Sequence, residues 1–574
     1  TVLCEDRAAP CAREVCAARE EGAAGPARSG GAKRPPMPPA AAVFVALAAA
    51  VAGEPSSLSL PPCAEPVSED RLSAFYSKVG RFSEDELAHA LWYGKHLEPS
   101  DCAALAHLLC SGGMGAGLTE LVLAANDIGD AGVVALARAV VYGRLPRLAS
   151  LNIYKTKMGD TGIISLAEAA AARPLLALEK LELNANSISD AGLAVLSTAL
   201  AGGAMPRLEE LNLALNMFSA DGLQTLASAA AASGALSNLT WLGLAANRFG
   251  ASGAATLAGA LAQEATPQLQ YLDLGTTALG YEGIDALAPA IISPGLSALR
   301  ELHFDSNNIG DSGVQEFAAL TGQPGALPSL EVLVFSANNL RATGLGALAN
   351  ATLRGGLPKL TRLFFSANRV GYSPSFAPAA GPLRLGGLRN LVFLSLTANK
   401  IDDARLAEIA DVMADGALSH LTDLYLPSNL IGSEGLAALG RAAERGALPH
   451  LKTLSLKSNL IGDDGLVSFA RSVSNGRCPS CALYRLHVLH LSFNSITDVG
   501  VDALAEAIRG GALPWLHLLV VDRVTPSLKE VCRLRPDLDC SDPLPMPCRD
   551  LPEDKREACA QHEIAIYGEC KTCG

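Results

Sequence analysis

Leu178-Glu-Lys-Leu181-Glu-Leu183-Asn-Ala-Asn186-Ser-Ile188-Ser-Asp190-Ala-Gly192-Leu-Ala-Val-Leu-Ser-Thr-Ala-Leu200-Ala-Gly202-Gly203 is the stretch from which the fold can be read. Leu181 and Leu183 alternate with polar residues, the period-2 pattern of a short half-buried strand. Asn186 then turns the chain off the strand, and in a stacked array its amide can bond the backbone of neighbouring turns. Beyond it Leu193, Leu196 and Leu200 stand at i, i+3 and i+7, an amphipathic helix that Gly202-Gly203 stops. Asp190 is placed to cap that helix.

The same unit recurs in both directions. Its opening leucine is found again at Leu118, Leu148, Leu208, Leu239, Leu269, Leu299, Leu330, Leu360, Leu391, Leu421, Leu451 and Leu486, with a half-unit at Leu516. The spacing is 30 or 31 residues, except for 35 between Leu451 and Leu486. Residues 118–522 are therefore expected to form one array of thirteen repeats. The ninth position of the unit is Asn126, Asn186, Asn216, Asn247, Asn307, Asn338, Asn368, Asn399, Asn429, Asn459 and Asn494, and only Thr156 and Thr277 interrupt it. Such phase is not a compositional accident. It predicts an α/β solenoid: a horseshoe with a concave parallel β-sheet, convex helices and a structural asparagine ladder between its turns.

Asp130, Asp160, Asp311, Asp463 and Asp498 repeat the placement of Asp190 and are expected to cap their own helices. In the ninth repeat Pro374, Pro378 and Pro382 predict irregular chain in place of the helix. The twelfth carries an insert containing Cys478-Pro-Ser-Cys481.

The pattern L-x-x-L-x-L-x-x-N-x-I-x-x-x-G-x-x-x-L resembles the ribonuclease-inhibitor-like subfamily of leucine-rich repeats. That subfamily also supplies the repeat domains of NOD-like receptors and of the Ran GTPase-activating protein. The resemblance covers the repeats and not the two ends, and the units here are slightly longer, with the extra residues in a Gly-Ala-Leu-Pro return. It implies protein binding through the concave sheet. No G-x4-G-K-[ST] is present, Gly94-Lys95 being followed by His96, so no nucleotide-binding module is recognisable. No loop matches the catalytic arginine of the Ran activator.

The ends divide differently. Residues 1–36 are rich in Ala, Gly, Pro and Arg and are expected to be disordered. Residues 37–52 run from Met37 through an apolar stretch to Ala50-Val51-Ala52, the form of a secretory signal peptide and too short to span a membrane. Residues 53–117 read as an N-terminal helical cap, with a capping box at Ser83-Glu-Asp-Glu86, and 523–574 as a Cys-rich C-terminal tail. All 14 cysteines avoid the span between Cys110 and Cys478. Placed at the ends of a solenoid, they favour disulfide-bonded caps in an oxidising compartment. Zinc held by Cys478, Cys481, Cys570 and Cys573 is the competing reading.

Function must then lie on the surface. With 58 acidic against 45 basic residues the formal charge is −13, which argues against general nucleic-acid binding. No G-x-S-x-G and no H-E-x-x-H occurs, His490 reads as a surface residue, and no catalytic residue, metal site or cofactor is assigned. The concave columns, third and fifth in each unit, hold Trp241, Tyr271, Phe364, Phe393 and Tyr425, with His303 between and Asp273 and Asp305 beside them. Read as exposed on successive strands, these eight residues form the expected partner-binding patch, with Glu182, Glu210 and Glu301 also flanking. The expected function is a secreted or lumenal protein-recognition scaffold. A carbohydrate ligand would use similar aromatics and carboxylates. A cytosolic regulator of a GTPase or signalling protein, and a structural surface protein, are the alternatives.

Overall fold

A computed structural model of the chain describes residues 63–81, 88–111, 114–474 and 483–540. Within them fifteen three-residue strands form one parallel sheet whose order follows the chain. They are β1 (His89–Leu91), β2 (Glu120–Val122), β3 (Ser150–Asn152), β4 (Lys180–Glu182), β5 (Glu210–Asn212), β6 (Trp241–Gly243), β7 (Tyr271–Asp273) and β8 (Glu301–His303). There follow β9 (Val332–Val334), β10 (Arg362–Phe364), β11 (Phe393–Ser395), β12 (Asp423–Tyr425), β13 (Thr453–Ser455), β14 (Val488–His490) and β15 (Leu518–Val520). A helix returns the chain after nearly every strand, so the array is an α/β solenoid of the horseshoe type.

Register follows from the leucine phase. The central leucine of each strand pairs with its counterparts, as Leu181 does with Leu151 and Leu211. Leu181 and Leu183 are fully buried, and helix Asp190–Ala201 closes over them with Leu193, Leu196 and Leu200. Each such leucine contributes about 1.5–3 kcal/mol relative to exposure. No repeat can bury its leucines alone, so that contribution exists only in the stack.

The turns are joined by the asparagines. Asn186 Nδ2 donates to Ile153 O of the preceding repeat at 2.8 Å and to Leu183 O of its own at 3.0 Å. Its Oδ1 accepts from the N–H groups of Thr156 and Met158 at 3.1 and 3.0 Å. The same backward donation and acceptance recur at Asn126, Asn216, Asn307 and Asn338. They recur again at Asn368, Asn399, Asn429, Asn459 and Asn494. Asn247 makes the donation, but its Oδ1 is buried without a hydrogen-bond partner. Thr156 and Thr277 keep the bond to their own turn through the hydroxyl, at 2.9 and 2.7 Å. In the thirteen repeats from Leu118 the bend itself falls on the residue before the ladder position, which has φ near +55° from Ala125 to Phe493.

Three expectations are corrected. The sheet starts one strand early, because β1 lies inside the segment read as a helical cap and pairs with β2. The aspartates do not cap their own helices. Asp160 accepts from Ser189 N–H at 2.8 Å, Ser189 Oγ–H at 2.5 Å and Gly192 N–H at 3.2 Å, all in the next repeat. Asp130, Asp190, Asp311 and Asp463 reach forward in the same way, as does Asp403. Helix Asp190–Ala201 is capped locally by Ser189 instead. The forward bond also explains the glycine: a Cβ on Gly192 would stand 2.7 Å from Ile163 Cγ2 and 2.5 Å from Asp160 Oδ1. In the ninth repeat the helix is shortened, not lost. It runs Ala377–Arg384 with Pro382 inside, after a 3₁₀ turn at Val370–Tyr372. The carboxylate of Glu408, from the next helix, accepts from the Phe376 N–H at its start.

Cys63 is bonded to Cys110 and Cys532 to Cys540, with Cα atoms 5.8 and 6.4 Å apart. Cys102 is a buried free thiol, and burial, with the charge of Asp101, raises its pKa. The disordered leader and signal peptide at 1–52, the Ser83–Glu86 box, the Cys478–Cys481 insert and the cysteines of 541–574 lie outside the described residues. Among the described residues no helix is long and apolar enough to cross a membrane.

Candidate recognition surface on the concave sheet

Alternation on a strand sends the central leucine inward and its two neighbours to the concave face. Cross-strand register then lines those neighbours up, and the eight residues singled out from the sequence fall on one continuous run from β6 to β12. They make two groups joined by β9.

In the first group the Trp241 and Tyr271 rings stack at 4.7 Å with 7° between their planes, and Tyr271 meets the His303 ring at 4.8 Å. Gly243 makes room for the indole, since a Cβ there would lie 2.6 Å from Trp241 Cη2. Asp273 and His303 are direct cross-strand partners. Asp273 Oδ1 accepts from the Gly275 N–H at 2.9 Å, and the Asp305 carboxylate leans over Gly275, 2.7 Å from where a Cβ would stand. Asp273, His303 and Asp305 each offer one ligand atom, all within 4.8 Å of one another. Burial, then the Asp305 charge, pushes the Asp273 carboxyl above its usual range, against the pull of His303. For His303, burial opposes the proton but Glu301, Asp273 and Asp305 together raise its pKa.

The second group differs from the expectation. Phe364, Phe393 and Tyr425 are only 5–7% exposed, so they are not projecting side chains. Phe393 meets Phe364 at 4.7 Å and Tyr425 at 5.2 Å between ring centroids. With Val332 and Val334 of β9 they form a buried apolar cluster on the concave side. The Arg362 guanidinium covers it, 5.5 and 5.0 Å from the Phe364 and Phe393 centroids. Burial and the nearby Asp423 push the Tyr425 hydroxyl up to about 12. Thr361, Arg362, Val392, Phe393, Asp423 and Tyr425 line a depression of about 360 Å³ there. The sequence reading passed over Val332, Val334 and Arg362 because it looked for aromatic bulk; the third and fifth columns of β9 and β10 carried the signal.

The flanking acids are partly neutralised. Glu210 is paired with Lys180 at 2.7 Å, and Glu301 lies 3.7 Å from His303 Nε2. Burial raises the Glu182 carboxyl, opposed by a hydrogen bond from Asn212. Trp241, Tyr271, Asp273, His303 and Asp305 stay partly exposed and form the accessible part of the run.

The Leucine Rich repeat family model matches residues 118–137, 296–318, 417–440, 447–470 and 486–505. No curated protein matches the sequence. Among solved structures, an internalin from Listeria monocytogenes is 18% identical, with 76% of this chain and 92% of that chain covered and a TM-score of 0.36. The TLR13–ssRNA13 complex is 18% identical over 77% of this chain and 70% of that chain, at a TM-score of 0.38. The plant peptide hormone receptor RGFR1 in complex with RGF2 is 14% identical over 75% and 76%, at 0.32. The five matched stretches fall in phase with β2, β8, β12, β13 and β14 and the helices that follow them: this chain carries leucine-rich repeats.

Proposed function

We propose that the chain is a non-enzymatic recognition scaffold of the ribonuclease-inhibitor-like kind that grips a protein partner with its concave sheet, outside the cytosol. The observation that carries the reading is the run from Trp241 to Tyr425. An accessible face of stacked Trp and Tyr with a tilted His, beside two carboxylates, sits next to an apolar floor roofed by Arg362. Trp, Tyr and Arg are the residues on which protein interfaces concentrate their energy. The stacked rings are already ordered, so little side-chain entropy is lost when a partner covers them. Bonds Cys63–Cys110 and Cys532–Cys540 at the two ends of the described array support an oxidising compartment.

The test is site-specific photo-crosslinking in extract from the native source. A photoreactive residue at Trp241 or Tyr271 is expected to capture one discrete protein, and one at Ala255, on helix Gly250–Ala262, to capture nothing. Equal capture from Ala255 overturns the concave assignment. A thiol count on native protein, with and without reductant, tests export: if all cysteines react without reductant, the chain is not from an oxidising compartment.

A further inference from the structure

We propose that Asp273, His303 and Asp305 form a binding site for a divalent transition-metal ion of the zinc class in the floor of the concave sheet. Four observations converge on it. The three side chains come from two adjacent strands and the turn after the second, and each presents one ligand atom within 4.8 Å of the other two. Ligand atoms bound to zinc at about 2.0–2.2 Å stand roughly 3.4 Å apart, so small side-chain rotations close the set. The donor set is one imidazole and two carboxylates, which suits zinc, cobalt or manganese rather than a soft ion such as copper(I).

The third observation is room. Gly275 is the residue facing Asp305 across the strands, and any side chain there would displace the carboxylate, whose Oδ1 lies 2.7 Å from the Cβ position. The fourth is an unmet need. His303 Nε2 is buried with no hydrogen-bond partner, and the nearest acid, Glu301 Oε2, is 3.7 Å away, beyond hydrogen-bond reach. A buried polar atom left unpaired calls for an explanation. Ligation of the metal by Nε2 itself would supply that partner, with the Glu301 carboxylate 3.7 Å away adding negative charge beside the ion. Tyr271 packs against the imidazole, 4.8 Å between ring centroids, and restricts its rotation. Three protein ligands leave a coordination position that faces the concavity, open to water or to a carboxylate or imidazole of whatever the sheet binds. Metal binding stands on these residues alone, whether or not the sheet binds a protein.

Cobalt(II) titration of the full chain, stripped of metal by chelation and dialysis, tests this against His303→Gln and Asp305→Asn. The wild type is expected to develop weak visible d–d bands of nitrogen and oxygen ligation, saturating at one equivalent and bleached by zinc. Both variants should lose that equivalent. Metal held by cysteines would show instead as an intense near-ultraviolet thiolate band, which the variants would retain. Identical titrations of wild type and variants, or a wild type with the thiolate band alone, overturn the site. Circular dichroism checks each variant's fold; both changes are close in shape, and if one variant unfolds the other decides.

Discussion

Asn368→Ala should cost far more than a polar-to-alanine change on a surface turn. Asn368 is 3% exposed. Its Oδ1 accepts from Asn338 N–H at 2.9 Å and Leu340 N–H at 3.0 Å, and its Nδ2 donates to Phe335 O at 2.9 Å and Phe365 O at 3.1 Å. Alanine strands two buried N–H groups of the preceding repeat. At about 1–3 kcal/mol for each unsatisfied group, partly relieved if water enters, the loss is roughly 3 kcal/mol. Asn368→Thr should recover about 1 kcal/mol of that, because a hydroxyl restores one bond to the repeat's own turn. Thr156 does so with Ile153 O at 2.9 Å. Urea unfolding followed by circular dichroism gives the total. Native-state hydrogen exchange gives the location, which matters because a repeat array need not unfold as one unit. Protection should fall most at the amides of Asn338 and Leu340, not at those of the mutated repeat. A loss below about 1 kcal/mol, or protection lost evenly along the chain, would refute the account of the ladder as the joint between turns.

Asp160→Ala should cost about 1–2 kcal/mol, the range for a lost helix cap, but should loosen the start of helix Asp190–Ala201 and leave its own helix Asp160–Ala172 protected; exchange at Ser189 and Gly192 checks this. Asp463 gives a pH test. Partial desolvation works to raise its pKa, but bonds from the Thr497 hydroxyl and the N–H groups of Thr497 and Gly500 win and hold it below the usual value. The folded value therefore lies under the unfolded one, of about 3.9. Its stabilisation is complete above that pH and disappears as pH falls through the folded value. Asp463→Asn should flatten the fall in melting temperature below about pH 4, and parallel curves would exclude it. Phe393→Ala should cost about 2–4 kcal/mol, near the core range, since the ring packs on Phe364 and Tyr425 under Arg362; a cost below 0.5 kcal/mol, normal for a surface change, would restore the projecting patch first read from the sequence.

What was legible in the sequence follows from the range of each interaction. Leucine phase and the ninth-position asparagine repeat every 30 or 31 residues, and each unit touches only its neighbours, so the sheet, its register and the horseshoe could be read from one unit. β1 escaped because Lys95 stands at its ladder position, and Ala90 and Trp92 stand where the fourth- and sixth-position leucines belong. A first strand has no preceding turn for an asparagine to bond, so the pattern lapses where its physical cause lapses. The forward aspartate bond escaped for the opposite reason. When Asp-x-Gly recurs in six of the thirteen units, a bond within one unit and a bond between two units look identical in sequence, and only the structure separates Asp160–Gly192 from Asp190–Gly192.

The concave face was legible in its positions and not in its burial. Alternation assigns a residue to that face, but whether it is covered depends on neighbours about 30 residues away on adjoining strands. Phe364 and Phe393 disappear under each other and Arg362, while Trp241 and Tyr271, stacked just as closely, stay partly open with the indole lying over Gly243. The division of labour among columns has a further consequence. The fourth, sixth and ninth positions are held by core packing and the ladder, so substitution there weakens the stack. The third and fifth positions contribute to stability only where neighbours converge, as at β9 to β12. From β6 to β8 those columns read Trp, Gly, Tyr, Asp, Glu and His, a sequence that core packing does not demand and that places two aromatic rings, an imidazole and carboxylates within touching distance. Residues that the fold leaves free to vary, yet that meet in one ordered cluster, are where this solenoid's specificity should be sought first.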